Sequence, residues 1–278
     1  MRDERFSDFL DEVNAKQHQT RLAHVLPVVG LVIAFVPAFA FGPEFLLLLL
    51  MGAGGGYVLG RWLDSYRRVS VLYFEMDQHA AARYEALTRA FDQMAKCAGK
   101  WHIAAGGQVQ DLATWKRNAG ATTLLSRSLT TLHYALPEVI KSNVTPPAIG
   151  VGRQTIYLMP DLLLVLDGVR FGAVAYEALG LEWQISNFIE EEAVPGDTQV
   201  LRYTWRHPNK SGGPDRRFAN NYQIPVCEYE VLHLASENGL NELLQFSRAG
   251  VSAPFAEAVH QLDYASQQYV GTALLTGE

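Results

Sequence analysis

Between residues 22 and 60 the chain carries one formal charge, Glu44. This constrains the fold more than any other feature, because a segment without charge that leaves water must satisfy its own backbone, which favours helix. Residues 22–41 are uncharged and meet the length of about 20 residues that a hydrocarbon core requires. Gly42-Pro43-Glu44 reads as a turn. A second apolar run, 45–60, is extended by Trp62 at the interface and by a snorkelling Arg61. Residues 22–63 are therefore expected to form a two-helix transmembrane hairpin, with Pro27 and Pro37 kinking its first arm. Gly52, Gly56 and Gly60 give the second arm a small face for helix packing. That face suits either the first arm of the same hairpin or a second subunit.

Lys16 and Arg21 flank the first arm, Arg61, Arg67 and Arg68 flank the second, and the turn has neither Lys nor Arg. The bias places both termini in the cytoplasm. Ala38-Phe-Ala40 fits a signal-peptidase site, but Asp3, Glu4, Asp8, Asp11 and Glu12 precede the run, unlike the basic start of an export signal.

The rest of the chain is folded and acidic. Apolar residues make up 49% and charged residues 19% of 278, with the charge concentrated outside the greasy stretch. Disordered, collagen-like and ordinary wholly soluble classes are excluded. Two cysteines, Cys97 and Cys227, exclude a disulfide framework or a cysteine-rich zinc module. Net charge −6 argues against a nucleic-acid partner. The eight histidines are dispersed, with no pair at i, i+4, so no metal and no cofactor is expected.

Five segments follow. Residues 1–21 are a cytoplasmic lead and 22–63 the hairpin. No proline occurs between Pro43 and Pro137, and Leu72, Met76, Ala80, Tyr84, Leu87, Phe91, Met94 and Ala98 recur at steps of three and four. This predicts an amphipathic helix over 64–99, continuous with the second arm and stopping at Gly99. Its stripe suits docking on its own domain or a self-association stalk. Residues 100–150 read as a mixed connection, with short strands at Trp101-His-Ile103 and Thr122-Thr-Leu-Leu125 and a break at Gly106-Gly107.

From residue 151 to 278 strand signals come at short intervals: 154–159, 162–166, 171–176, 179–185, 199–206, 224–235 and 243–246, with Asp167-Gly168 as a hairpin turn. Pro254 suits a first helical turn, and Phe255, Val259 and Leu262 form the stripe of a closing helix. The expected class is α+β: a transmembrane hairpin and an amphipathic helix, then a mainly antiparallel β domain with a C-terminal helix. Seven short strands plugged by one helix is the layout of a pleckstrin-homology-like barrel or sandwich.

Tyr157-Leu-Met-Pro-Asp161, Phe171-Gly-Ala-Val-Ala-Tyr176, the string from Thr204 to Asn221 and Gly239-Leu-Asn-Glu242 resemble a bacterial family of unknown function. Its members carry zinc ribbons or transmembrane helices at the N-terminus. Trp115-Lys-Arg-Asn-Ala-Gly-Ala121 resembles another of its signatures. The Lys and Arg bias puts the β domain on the cytoplasmic side of a bacterial inner membrane, and the likeness spans residues 100–250. The likeness implies no activity.

The most unusual string is Asn209-Lys-Ser-Gly-Gly-Pro-Asp-Arg-Arg-Phe-Ala-Asn-Asn221. Arg216 and Arg217 suit a carboxylate or phosphate, and Asn220 and Asn221 add donors and acceptors. Trp205, Lys210, Asp215, Arg216, Arg217, Phe218, Asn220 and Asn221 are thus the candidate ligand or partner residues. The structural alternative has Asp215 capping a turn, an Arg pairing with a carboxylate, and Phe218 and Trp205 packing inward. No catalytic residue is assigned. Cys227 sits in an apolar run, and His233 is six residues away along a strand. Glu190-Glu-Glu192 reads as a solvated charge run and Trp115-Lys-Arg-Asn118 as a small basic-aromatic cluster. The leading expectation is a membrane-anchored recognition or scaffold protein that binds a membrane-associated partner and is able to form a homo-oligomer. Two others are a self-assembling membrane effector in stress or phage defence, and a hydrolase or nucleotide-sensing domain.

Overall fold

The computed structural model of the chain describes residues 6–41, 46–104 and 127–266. The turn Gly42-Pro43-Glu44, the Gly106-Gly107 break, the Trp115-Lys-Arg-Asn118 cluster with its signature and the Thr122–Leu125 strand lie outside them.

Helices α1 (Ser7–His18), α2 (Leu22–Phe41) and α3 (Leu46–Arg67) come first. α2 and α3 run antiparallel, with Gly30 against Gly52, Leu26 and Pro27 against Gly56, and Ala23 against Gly60. A Cβ added at Gly60 would lie 2.6 Å from Ala23 Cα, so here backbone meets backbone and no side chain fits. Gly54 and Gly55 face open space. Asp64 closes the end of the pair: its carboxylate accepts from the N–H groups of Leu22 (3.0 Å) and Ala23 (2.9 Å). It supplies the first-turn acceptor that α2 lacks in its own sequence. Outward residues such as Val32 (63% exposed) and Ile33 (68%) are apolar. The helical stretch Ser7–Phe35 is long and apolar enough to cross a membrane, and almost none of its apolar part is covered by protein.

The single helix expected over 64–99 is broken. α3 stops at Arg67, and β1 (Ser70–Leu72) pairs in parallel with β5 (Ile140–Ser142). The cause is local. Val69-Ser-Val-Leu-Tyr-Phe74 is rich in β-branched and aromatic residues, which suit a pleated strand. Asp77 then restarts the helix by accepting from the N–H of Ala80 at 2.7 Å. α4 (Gln78–Ala95) keeps the apolar stripe, burying Tyr84, Leu87, Phe91 and Met94.

Two larger antiparallel sheets follow. One has the order β4 (Leu132–Tyr134), β6 (Pro147–Val151), β7 (Gln154–Leu158), β8 (Leu162–Asp167), β9 (Arg170–Ala175). The other has β10 (Leu179–Ile189), β12 (Gln223–Ser236), β13 (Asn241–Phe246), β2 (Lys100–Ile103), β3 (Arg127–Leu129), with β11 (Gln199–Trp205) also on β12. The Asp167-Gly168 hairpin forms, with Gly168 at φ +62°, a conformation that favours glycine. Residues 100–150 are not a connection before the β domain. They supply β2, β3, β4 and β6 to its sheets.

The chain crosses between the sheets at two corners, through Thr130 and Thr131 after β3 and through one 3-10 turn (Tyr176–Ala178) after β9. The hydrogen-bonded ladders stay separate there, so no closed barrel forms. Nor does one helix fill the core. α4 packs beside α5 (Ser252–Ser266), and both bury side chains among the inner faces of the two sheets, with Ile149, Ile156, Leu163, Leu232, Leu244 and Phe246. Buried Glu230 holds the start of α5 by accepting from the N–H groups of Val251 and Ser252, both at 3.0 Å.

α1 covers the outer face of the five-stranded sheet, placing Phe9, Leu10 and Val13 among Tyr157, Leu162, Leu164 and Phe171. Lys16 bonds to Glu12 (2.6 Å) and to the Val69 carbonyl (2.9 Å), Ser70 donates to Glu12 (2.9 Å), and Arg21 pairs with Glu138. The segment before α2 and the segment after α3 are therefore stitched to one another and to the same sheet.

Candidate functional site

β12 is long enough for two partners on one edge: β11 pairs with its first half and β13 with its second, while β10 occupies the other edge. The β11–β12 connection, residues 206–222, is folded on itself. Arg206 N–H bonds to the Tyr222 carbonyl at 2.9 Å. Asn221 stitches the loop, accepting from the His207 N–H (3.0 Å) and donating to its carbonyl (2.7 Å). Asn209 shapes the tip: its side-chain oxygen accepts from the N–H groups of Ser211 and Gly213, both at 2.9 Å.

The eight candidate residues do not converge on one point. Trp205 is half-buried at the base, where it pairs with Gln223. Asn221 is structural. Arg217 is 84% exposed but turns back on Asp215, 2.6 Å away, whose oxygen also accepts from the Arg217 N–H. That pairing holds the Asp215 carboxyl down at about 2. Phe218 does not pack inward. It stacks on His207 at 3.9 Å between ring centroids and stays half exposed. Lys210, Arg216 and Asn220 are exposed, and among the described residues neither cation has a carboxylate partner.

This leaves a cationic, aromatic hairpin. Residues 199–222 hold Arg202, Arg206, Lys210, Arg216 and Arg217 against Asp215 alone, net +4 in a chain of −6. Tyr203, Phe218 and Tyr222 are exposed among them. Local charge balance is readable from the sequence, and it extends the candidate surface to Arg202 and Arg206.

A second cluster lies near the base. Glu190 is not part of a solvated charge run; it is 1% exposed. One nitrogen of Arg127 reaches both its oxygens, at 2.7 and 2.9 Å, and Tyr229 OH donates to it at 2.6 Å. The Arg127 guanidinium lies 4.5 Å from the ring centroids of Trp101 and Phe188. Glu191 and Glu192 are exposed, as expected. Burial, then the Glu190 charge, pushes the Cys227 thiol up, and burial with the Glu190 hydrogen bond pushes Tyr229 up. Neither group is ionised near neutral pH, so the cluster is suited to packing and not to nucleophilic chemistry. His233, on the same face of β12 as Cys227, is bound to Asn241 at 2.6 Å.

No protein-family model, curated protein or solved structure matches this chain.

Proposed function

We propose that this chain is a membrane-anchored recognition protein of the bacterial inner membrane. In this reading α2 and α3 form a transmembrane hairpin, and the β domain stands in the cytoplasm and binds a partner through the β11–β12 hairpin. One observation carries the reading: an apolar helical pair with an exposed surface has both its ends fastened to the same β domain. Such a surface is costly in water and favourable in lipid. An anchor of this kind raises the effective concentration of the domain toward other membrane proteins. The open two-sheet sandwich with a C-terminal helix supports a pleckstrin-homology-like kinship, with α4 as the departure from that plan.

The hairpin offers a partner two exposed cations, Lys210 and Arg216, with no carboxylate partner among the described residues, beside exposed aromatic rings. An acidic surface with some apolar content is the complementary chemistry. Arg217 is a poorer probe than Arg216, because its loss would also release Asp215. The test is co-purification of full-length protein from membranes in mild detergent, wild type against Lys210→Ala with Arg216→Ala. The reading expects a bound protein that the double variant loses while remaining folded and membrane-bound. An identical set of co-purifying proteins from both would contradict it.

A further inference from the structure

The junction between the apolar pair and the β domain holds a cation without a counter-charge. Arg68 follows the last residue of α3 and is only 8% exposed. Its Nη2 donates to the Gln17 carbonyl at 3.3 Å, and its backbone N–H bonds to the Asp64 carbonyl at 3.0 Å. Its Nε–H is buried without an acceptor, and no carboxylate among the described residues pairs with it. Two acids of the junction are committed elsewhere, Asp64 to the N–H groups of Leu22 and Ala23, and Glu12 to Lys16 and Ser70. One carbonyl and the negative end of the α3 dipole are what the Arg68 charge has. A guanidinium taken out of water calls for an anion and for acceptors on its donors.

Two more cations end the same helix. Arg61 and Arg67 are exposed, and among the described residues neither has a carboxylate partner. From Arg61 to Arg68 the chain covers about two helical turns. Trp62 and Tyr66 fall within that stretch, 56% and 70% exposed, with their rings edge to face at 5.3 Å between centroids. Exposed Trp and Tyr beside Arg is the chemistry of the boundary between hydrocarbon and headgroups.

We propose that this end of α3 is a binding site for the phosphate of an anionic lipid headgroup, taken from the leaflet that the β domain faces. The proposal rests on the reading above that α2 and α3 enter the bilayer. A phosphate oxygen supplies both things that Arg68 lacks, a negative charge and an acceptor for its Nε–H. Arg61 and Arg67 add to the positive field, and Trp62 with Tyr66 border the acyl chains. A lipid of net negative charge is favoured over a zwitterionic one, because the zwitterionic headgroup brings a cation of its own beside three arginines. The site uses no residue of the β11–β12 hairpin, so it is independent of partner recognition there.

The experiment is native mass spectrometry of full-length protein in micelles that hold equal amounts of phosphatidylglycerol and phosphatidylcholine. Wild type is expected to retain phosphatidylglycerol in preference. The preference should fall about fivefold for each arginine replaced, in Arg68→Gln and in Arg61→Gln with Arg67→Gln. The second variant changes exposed side chains only, so it decides the matter if Arg68→Gln fails to fold. Lys210→Ala with Arg216→Ala should keep the wild-type preference, and added inorganic phosphate should not displace the lipid. Equal retention of the two lipids by wild type would overturn the proposal. So would a wild-type preference in the folded arginine variants. Loss of the preference in the Lys210/Arg216 variant would move the lipid to the hairpin, and displacement by inorganic phosphate would assign the site to a soluble anion; either result contradicts the proposal. A wild type that resists alkaline carbonate but shows no lipid preference defeats this proposal alone, whereas release by carbonate defeats the anchor, so the two readings fail separately.

Discussion

The side-chain amide of Asn14 bonds to the backbone of Phe171 on both sides, donating to its carbonyl at 3.0 Å and accepting from its N–H at 2.7 Å. A helix residue thus takes the place of a neighbouring strand at the end of the five-stranded sheet. Because α1 leads directly into α2, this contact also fixes where the apolar pair leaves the domain. Asn14→Ala should cost about 1–3 kcal/mol, two hydrogen bonds' worth. Hydrogen exchange of the Phe171 amide, read by mass spectrometry, should accelerate in the variant more than exchange in β7.

The Glu190-Glu-Glu192 run contains one buried and two exposed carboxylates. Arg127→Ala would leave the Glu190 charge buried without its cation, and a loss of about 3–5 kcal/mol is expected. Glu191→Ala, on the exposed neighbour, should change stability by about 0.5 kcal/mol or less. Denaturant unfolding of the two variants tests this contrast, and similar effects would contradict the assignment of Glu190 as the structural member.

The Asp215–Arg217 pair sets a pH response for the hairpin. Its folded-state carboxyl sits at about 2, below the unfolded value of about 3.9. The pair therefore helps the loop above about pH 4, and the help fades as pH falls from there toward 2. The pair lies on a surface loop, where Arg217 covers Asp215 and leaves 13% of its side chain exposed, so the effect stays local. Carboxyl-carbon NMR should place Asp215 below the usual aspartate value of about 3.9, and Arg217→Ala should return it toward that value.

The glycines of α3 divide by what they face. Gly56→Leu must push α2 away, because its Cβ would lie 2.6 Å from the Leu26 carbonyl carbon. Gly54→Leu meets open space. Overpacking of this kind costs about 1–3 kcal/mol. Thermal unfolding in detergent should therefore fall for Gly56→Leu and stay near wild type for Gly54→Leu.

What was legible in the sequence is what depends on near neighbours. Alternation of apolar residues placed β7 through β13, and Asp167-Gly168 placed a hairpin that forms where expected. The stripe of α4 was legible from Tyr84 to Met94, but not the strand before it: with no proline at 64–77, helical spacing through Leu72 and Met76 outweighed the β-branched and aromatic run that forms β1. Long-range pairings were not legible. Glu190 looks like its two neighbours until Arg127, 63 residues earlier in the chain, is brought beside it. The role of α1 was hidden for the same reason, since Asn14 and Phe171 are 157 residues apart. At the candidate site, the turn chemistry around Asp215 was readable, but which of two adjacent arginines it would hold was not.

The central claim is that α2 and α3 enter the bilayer and return, leaving the β domain in the cytoplasm. The most direct test is protease accessibility in intact spheroplasts compared with inverted membrane vesicles, followed by blotting for the segment that contains Trp205. The account predicts that this segment survives protease added outside spheroplasts and is digested in inverted vesicles. Digestion in intact spheroplasts, or full release of the protein by alkaline carbonate, would contradict it.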